Sequence, residues 1–155
     1  MTINVKNFLF SKSKKSKIGD FQDLEHLDGV AISAISANLY KDPRDDLVLF
    51  YFREGANYAS VYTQSKIISE NIKWNLSLKN NSVKALLVNA RNANAFTGKQ
   101  GFKGITQIAE ELSRNLTDKM AEDEEKESSV KKNEIIFGST GTIGETFPTE
   151  KIKQS

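Results

Sequence analysis

Two apolar, strand-like stretches each run straight into a loop of small, hydrogen-bonding residues, and no other feature constrains the fold of this chain as much. The first is Val83 to Val88, followed by Asn89-Ala90-Arg91-Asn92-Ala93-Asn94-Ala95-Phe96-Thr97-Gly98. The second is Ile135-Ile136-Phe137, followed by Gly138-Ser139-Thr140-Gly141-Thr142-Ile143-Gly144. At such exits from a core, backbone N–H groups and hydroxyls can converge on a ligand or on a developing negative charge. Ile105, Ile108, Ala109, Leu112 and Leu116 then fall at helical spacing, which predicts an amphipathic helix after the first loop.

The remaining elements fill in around these exits. Val30, Ile32 and Ala34 alternate as a strand with one better-buried side. Asp42-Pro43 breaks the chain, and Leu47 to Phe52 reads as a buried strand. Glu54-Gly55-Ala56 reads as a turn and Tyr58 to Tyr62 as a second strand, so a hairpin is expected. Residues 66–79 alternate like a strand at Ile72, Trp74, Leu76 and Leu78, but Ile68, Ile72 and Leu76 also stack at helical spacing. Ser69 as an N-cap tips the reading to helix. Asn80-Asn81-Ser82 is a turn, and Phe147-Pro148-Thr149-Glu150 begins a further helix. Strands come first, then strand–loop–helix and strand–loop, which predicts an α/β fold of mixed layers rather than a regular doubly wound sheet.

The composition excludes several function classes. The chain has 155 residues, enough for one domain with a sizeable core. With 38% hydrophobic and 27% charged residues it is an ordinary soluble composition, and no apolar run suits a membrane span. There is no cysteine, which removes disulfides, thiolate metal sites and a cysteine nucleophile. The single histidine, His26, reads as a surface residue and cannot build a multi-histidine metal site, so no metal is expected. A net charge of +2 does not imply a nucleic-acid partner. Lys6, Lys12, Lys14, Lys15 and Lys17 precede the first acid, Asp20; residues 1–20 read as a solvated arm and 21–155 as the domain. That arm lacks the apolar core of a secretory signal, so a cytoplasmic location is expected, with a lysine-rich organellar presequence as the alternative. The acidic run at 122–127 reads as a solvated loop or helix end. Trp74, Phe50, Tyr51 and Phe52 read as core.

Each loop carries two readings. At Ser139-Thr140-Gly141, the glycine presents an open N–H and the threonine adds a hydroxyl, which together can form an oxyanion hole; a plain glycine turn after a strand is the other reading. The spacing of Gly138, Gly141 and Gly144 is not that of a phosphate loop, and no Lys-Ser or Lys-Thr follows. Asn92 and Asn94, two apart, would face the same way in an extended segment, with Thr97 and Gly98 closing the loop. Amides of this kind suit a polar substrate such as an amino acid, and a self-bonded Asn-rich turn is the other reading.

These motifs resemble a known family. From about Gly29 to Lys151 the chain resembles the N-terminal part of the ornithine acetyltransferases, the bifunctional glutamate N-acetyltransferases of arginine biosynthesis. Asp45-Asp46-Leu47-Val48 and Glu54-Gly55 through Val61-Tyr62-Thr63-Gln64 resemble the family's first hairpin. Asn89 to Ala95 resembles its Asn-Ala-Gly-Asn-Ala-Asn-Ala motif, and Ser139-Thr140-Gly141-Thr142-Ile143-Gly144-Glu145 its Ser-Thr-Gly-Val-Ile-Gly motif. The resemblance implies a precursor that cleaves itself into two chains. The new N-terminal threonine of the second chain then carries acetyl from N-acetylornithine to glutamate by a ping-pong route. Some members also use acetyl-CoA as co-substrate, and no other cofactor is implied. The oxyanion hole maps to Thr140 and Gly141.

The chain departs from the pattern at two positions, Arg91 in place of glycine and Thr142 in place of an apolar residue. It also ends before the nucleophilic threonine and the substrate-binding lysine of the family. The resemblance therefore implies a partner, the C-terminal (beta) chain, a hetero- or homo-oligomer, and no acetyl transfer by this chain alone. A non-catalytic amino-acid-binding or protein-interaction module that keeps the fold, or a decayed fragment, is the competing reading.

Overall fold

The alternation in Ser82–Asn89 sets the frame, since Val83, Ala85, Leu87 and Asn89 are buried while the residues between them are half-buried. This strand is the third of four in a single sheet. The computed structural model describes residues 27–122 and 129–155. Its elements are β1 (Val30–Ile35), β2 (Leu47–Asn57), α1 (Glu70–Ser77), β3 (Ser82–Asn89), α2 (Gly98–Glu122), a short 3-10 turn (Lys132–Glu134), β4 (Ile135–Ser139) and α3 (Thr149–Lys153). The sheet order is β1-β2-β3-β4. β1 and β2 are antiparallel, as are β2 and β3, whereas β3 and β4 run parallel, with α2 as the long connection that parallel pairing requires. The mixed α/β expectation holds.

Register puts Leu47, Leu49, Tyr51, Ala85, Leu87, Ile135 and Phe137 on one face. That face packs with Trp74 of α1, with Ile105, Ile108 and Ala109 of α2, and with Phe147 and Ile152, to form the core. The helical periodicity read in α2 therefore meets the strand periodicity read in β3. Of the aromatics expected in the core, Trp74 and Tyr51 join it. Phe50 and Phe52 lie half-buried on the other face, where Ile32 is 56% exposed.

Ser69 caps α1, its Oγ accepting from the Ile72 N–H at 3.4 Å. The stripe that argued for this helix is not its buried face, however. Leu76 is 55% exposed, and the buried positions are Glu70, Asn71 and Trp74. The inward face is set by the backbone of β4. The Trp74 indole donates to the Ile135 carbonyl at 2.9 Å; the Asn75 amide donates to the Phe137 carbonyl at 2.9 Å and accepts from its N–H at 3.0 Å. Side chains of α1 thus complete backbone groups of the sheet's last strand, which would otherwise form an unprotected edge.

The expected hairpin is not formed. β2 continues through Glu54-Gly55-Ala56 to Asn57 and pairs with β3 at both ends, through Tyr51↔Ala85 and Ala56↔Val83. Five steps along β2 match two along β3, so the surplus residues bulge out. Gly55, at φ +77°, supplies the left-handed residue of that bulge, where the sequence suggested a turn. Residues 58–62 belong to no strand. The basic arm at 1–20, His26 and most of the acidic run at 122–127 lie outside the described residues.

Candidate active site

Parallel pairing of β3 and β4 brings the two motif loops side by side at the carboxyl ends of adjacent strands, where α/β sheets characteristically bind ligands. The sequence offered both loops but not their contact. Beyond the last register pair, Asn89↔Ser139, the loops stay zipped. The Thr140 N–H donates to the Asn89 carbonyl at 3.0 Å and the Thr142 N–H to the Arg91 carbonyl at 2.8 Å. The Ala93 N–H donates to the Thr142 carbonyl at 3.0 Å and the Gly144 N–H to the Ala95 carbonyl at 2.9 Å.

Gly141 sits at the closest approach. At φ +135° a Cβ there would lie 2.1 Å from the carbonyl carbon of Arg91 and 2.2 Å from its oxygen, so no other residue fits without moving backbone. The Thr140 hydroxyl and the Gly141 N–H have no partner among the described residues, and both residues are exposed. A hydroxyl and a backbone N–H are thereby left free at the junction.

Almost every other polar group here is engaged inward. Asn92 is 2% and Asn94 0% exposed. The Asn92 amide donates to the Glu145 and Thr146 carbonyls, each at 3.2 Å, and accepts from the Asn94 N–H at 2.8 Å. The Asn94 amide donates to Asn71 Oδ1 at 2.8 Å and to the Gly101 carbonyl at 3.4 Å, and accepts from the Thr97 hydroxyl at 2.7 Å. Asn71 donates onward to Ser139 Oγ at 2.5 Å, and Ser139 Oγ donates to Asn89 Oδ1. This chain of buried amides and hydroxyls ties α1, β3, β4 and both loops into one unit. The arrangement matches the self-bonded alternative for Asn92, Asn94 and Thr97, whose groups hold the loop in shape. Gly98, at φ +59°, turns the chain into α2.

Nothing in the sequence marked Asn71 as a member of this network, or showed that Asn89, which opens the first motif, is buried in it, because a buried amide pattern has no period. Nor did anything in the sequence mark Asp46, named only within the stretch that resembles the family's first hairpin, as a buried brace. That carboxylate is 3% exposed and accepts from the N–H groups of Ala37 at 2.7 Å and Leu39 at 2.8 Å, bracing the loop before β2.

Strain collects here too. Arg91 at φ 76°, Asn94 at 48° and Phe96 at 58° all take left-handed conformations. For a residue such as Phe96 this costs roughly 1–2 kcal/mol, and strain of this kind gathers at functional sites. Phe96 is 66% exposed and borders a cavity of about 300 Å³ together with Gln100, Gly144 and Thr146. Arg91 turns its guanidinium to the second loop, donating to Glu145 Oε2 at 2.5 Å, to Glu145 Oε1 at 3.1 Å and to Thr142 Oγ1 at 2.9 Å. The hydrogen bonds that Arg91 donates to Glu145, and then the carboxylate's charge, raise the Arg91 pKa above its ordinary value. Among the described residues no group of three or more His, Cys, Asp or Glu side chains is placed to hold a metal ion, and no helix is long and apolar enough to cross a membrane.

A family model described as the ArgJ family matches residues 31–155. The chain belongs to the ArgJ family. Among curated relatives, the arginine biosynthesis bifunctional protein ArgJ of Bartonella henselae is 36% identical over 135 residues, covering 86% of this chain and 30% of the relative. That of Bradyrhizobium diazoefficiens is 35% identical over 131 residues, covering 84% and 29%. The chain thus spans about 30% of the length of these ArgJ relatives. Among solved structures, ArgJ of Bacillus halodurans superposes with a TM-score of 0.70 at 23% identity, over 82% of this chain and 61% of that one. The ornithine acetyltransferase of Mycobacterium tuberculosis, solved with ornithine, superposes with a TM-score of 0.73 at 24% identity, over 82% and 63%. The four-stranded sheet and its helices are therefore part of the ArgJ fold.

Proposed function

We propose that this chain is the N-terminal region of an acetyltransferase that moves acetyl from N-acetylornithine, or from acetyl-CoA, to glutamate in arginine biosynthesis. Its part is the oxyanion hole. The observation that carries the reading is the unpartnered pair at Thr140 and Gly141, one hydroxyl and one N–H, exposed beside a network that engages the neighbouring polar side chains. Attack of a threonine hydroxyl on the acetyl carbonyl converts its oxygen to an anion, and the two donors stabilise that anion. Collapse expels ornithine and leaves an acetyl ester. The glutamate amine then attacks the ester through a second anion at the same place, whose collapse breaks the ester bond, returns the threonine hydroxyl and leaves the acetyl on glutamate. One donor of this kind contributes about 10²–10³ in kcat.

The threonine nucleophile comes from a C-terminal partner chain in the cytoplasm. Exposed apolar side chains support such a partner: Val61 is 97%, Ile67 59% and Ile32 56% exposed. The amino-acid-binding alternative finds less support, because the Asn92 and Asn94 amides it would use already hold the loop.

The test is complementation. The chain is mixed with the separately produced C-terminal remainder of the Bartonella henselae protein, association is verified, and acetyl transfer to glutamate is followed. Activity that falls about 100-fold or more with Thr140→Val supports the reading. No transfer from an associated complex, or full transfer by Thr140→Val, refutes it.

A further inference from the structure

We infer that Arg91 is a positioning residue whose guanidinium clasps the loop of Gly138 to Glu145 and fixes the peptide of Gly141. The inference rests on the oxyanion reading of Thr140 and Gly141 and adds a residue to it.

Three observations place the clasp. The Arg91 guanidinium grips Glu145 through both of its oxygens and Thr142 through its hydroxyl, so one planar group holds two residues that follow Gly141. A two-pronged grip of this kind fixes direction as well as distance, which a lysine cannot do. The Arg91 carbonyl accepts from the Thr142 N–H at 2.8 Å, and the Arg91 peptide is the group that a Cβ at Gly141 would strike. Main chain and side chain of one residue thus both hold the segment that follows Gly141. Finally, Arg91 itself stands at φ 76°. That backbone would be easier for glycine, so the side chain is held in place against a local conformational preference. The clasp freezes the orientation of a donor that has no intramolecular partner of its own, and a donor held in advance needs no reorganisation when charge develops.

The test uses the full 155-residue chain and Arg91→Gly. This substitution removes the clasp and also relieves the left-handed backbone, so it separates positioning from stability. Amide exchange is read at Thr142, Ala93 and Gly144, which donate across the two loops, with Leu87 in the sheet and Phe137, whose N–H is held by Asn75, as controls. The expected result is exchange about threefold faster or more at the loop amides, with the controls unchanged and the melting temperature held or raised. In about 1 M salt, where screening lengths fall to about 3 Å, loop exchange rises in the unmodified chain but not in Arg91→Gly. Glu145→Gln is the second variant. It loosens the same three amides and abolishes the salt response, and it decides the matter if Arg91→Gly does not fold. Unchanged loop exchange in the variants, or a loss spread evenly over loop and sheet, overturns the inference. Neither readout needs acetyl transfer, so a failure of the clasp and a failure of the oxyanion reading are told apart. Where the complemented enzyme is active, Arg91→Gly lowers kcat and leaves KM for glutamate in place.

Discussion

Gly101→Ala provides a sign test of the packing at the start of α2. In an ordinary helix interior this substitution stabilises by up to about 1 kcal/mol, because glycine loses more backbone entropy on folding. Gly101 is buried, and a Cβ there would lie 2.1 Å from Thr97 Oγ1, 2.3 Å from Asn94 Oδ1 and 2.7 Å from Thr97 Cβ. The two oxygens already hydrogen bond to each other at 2.7 Å, and Asn94 is fully buried, so neither can retreat without breaking that bond. Overpacking a site of this kind costs about 1–3 kcal/mol. Leaving the Asn94 carbonyl oxygen buried and unpaired costs a further 1–3 kcal/mol or so. Set against the helix gain, the net expectation is a destabilisation of about 1–5 kcal/mol, centred near 3. Urea unfolding reads this as a midpoint lowered by about 0.5–2.5 M at an unchanged slope. In a Thr97→Ala background the same substitution costs about 1 kcal/mol less, since one of the clashing oxygens and the bond it makes are already gone. A Gly101→Ala chain as stable as the original, or more so, would refute the close packing of α2 on the first loop.

Three further outcomes follow from other contacts. Asn71→Leu removes the link between Ser139 and Asn94 and leaves buried partners unpaired; thermal unfolding should show a loss of about 2–3 kcal/mol, hence a melting temperature lower by about 4–12 °C. Asp46→Ala strips the acceptor from the Ala37 and Leu39 N–H groups and should cost about 2–4 kcal/mol in urea unfolding, with Asp46→Asn recovering part of it. Ile32, Val61 and Ile67 leave apolar area in solvent, so sedimentation velocity should show concentration-dependent association that Val61→Ser together with Ile67→Ser reduces; a monomer at all concentrations contradicts this.

The elements legible in the sequence were those whose burial follows a period. β3 alternates strictly and α2 keeps its apolar residues on one face, so both were readable from spacing, as was the Ser69 cap. The bulge in β2 was not readable. Glu54-Gly55-Ala56 has the composition of a turn, and a left-handed glycine serves a bulge and a turn equally well. Only the pairing of Ala56 with Val83 decides between them, and that contact is long-range. The parity rule for Asn92 and Asn94 presumed an extended backbone. With Arg91 and Asn94 both left-handed, the rule lapses, and the two amides go to different partners, the Glu145–Thr146 carbonyls and Asn71. The face of α1 was misread for a related reason. Its inward positions are set by the backbone groups that β4 presents, and these draw Trp74 and Asn75 rather than the aliphatic stripe.

Arg91 and Thr142 are the two places where the loops depart from the motifs they resemble, and on the sequence alone each weakens the case for a working site. In the structure they touch, with the guanidinium donating to Thr142 Oγ1 at 2.9 Å and to Glu145 beyond it. A chain decaying without selection accumulates departures independently. It has no reason to place a hydroxyl acceptor where the first departure needs one, 51 residues away in sequence. An arginine facing an apolar residue at 142 would lose that bond, and a threonine at 142 facing glycine would have no guanidinium to accept from. The guanidinium bond to Thr142 exists only when both residues are present, and the two meet beside Gly141, where a Cβ would strike the Arg91 backbone. Their mutual fit therefore argues for a junction still held to a particular geometry, and a double-mutant cycle of Arg91→Gly with Thr142→Val should show it. Thr142→Val should speed loop exchange in the unmodified chain and have little further effect once Arg91 is gone, whereas independent, additive effects would leave the two departures as unrelated drift.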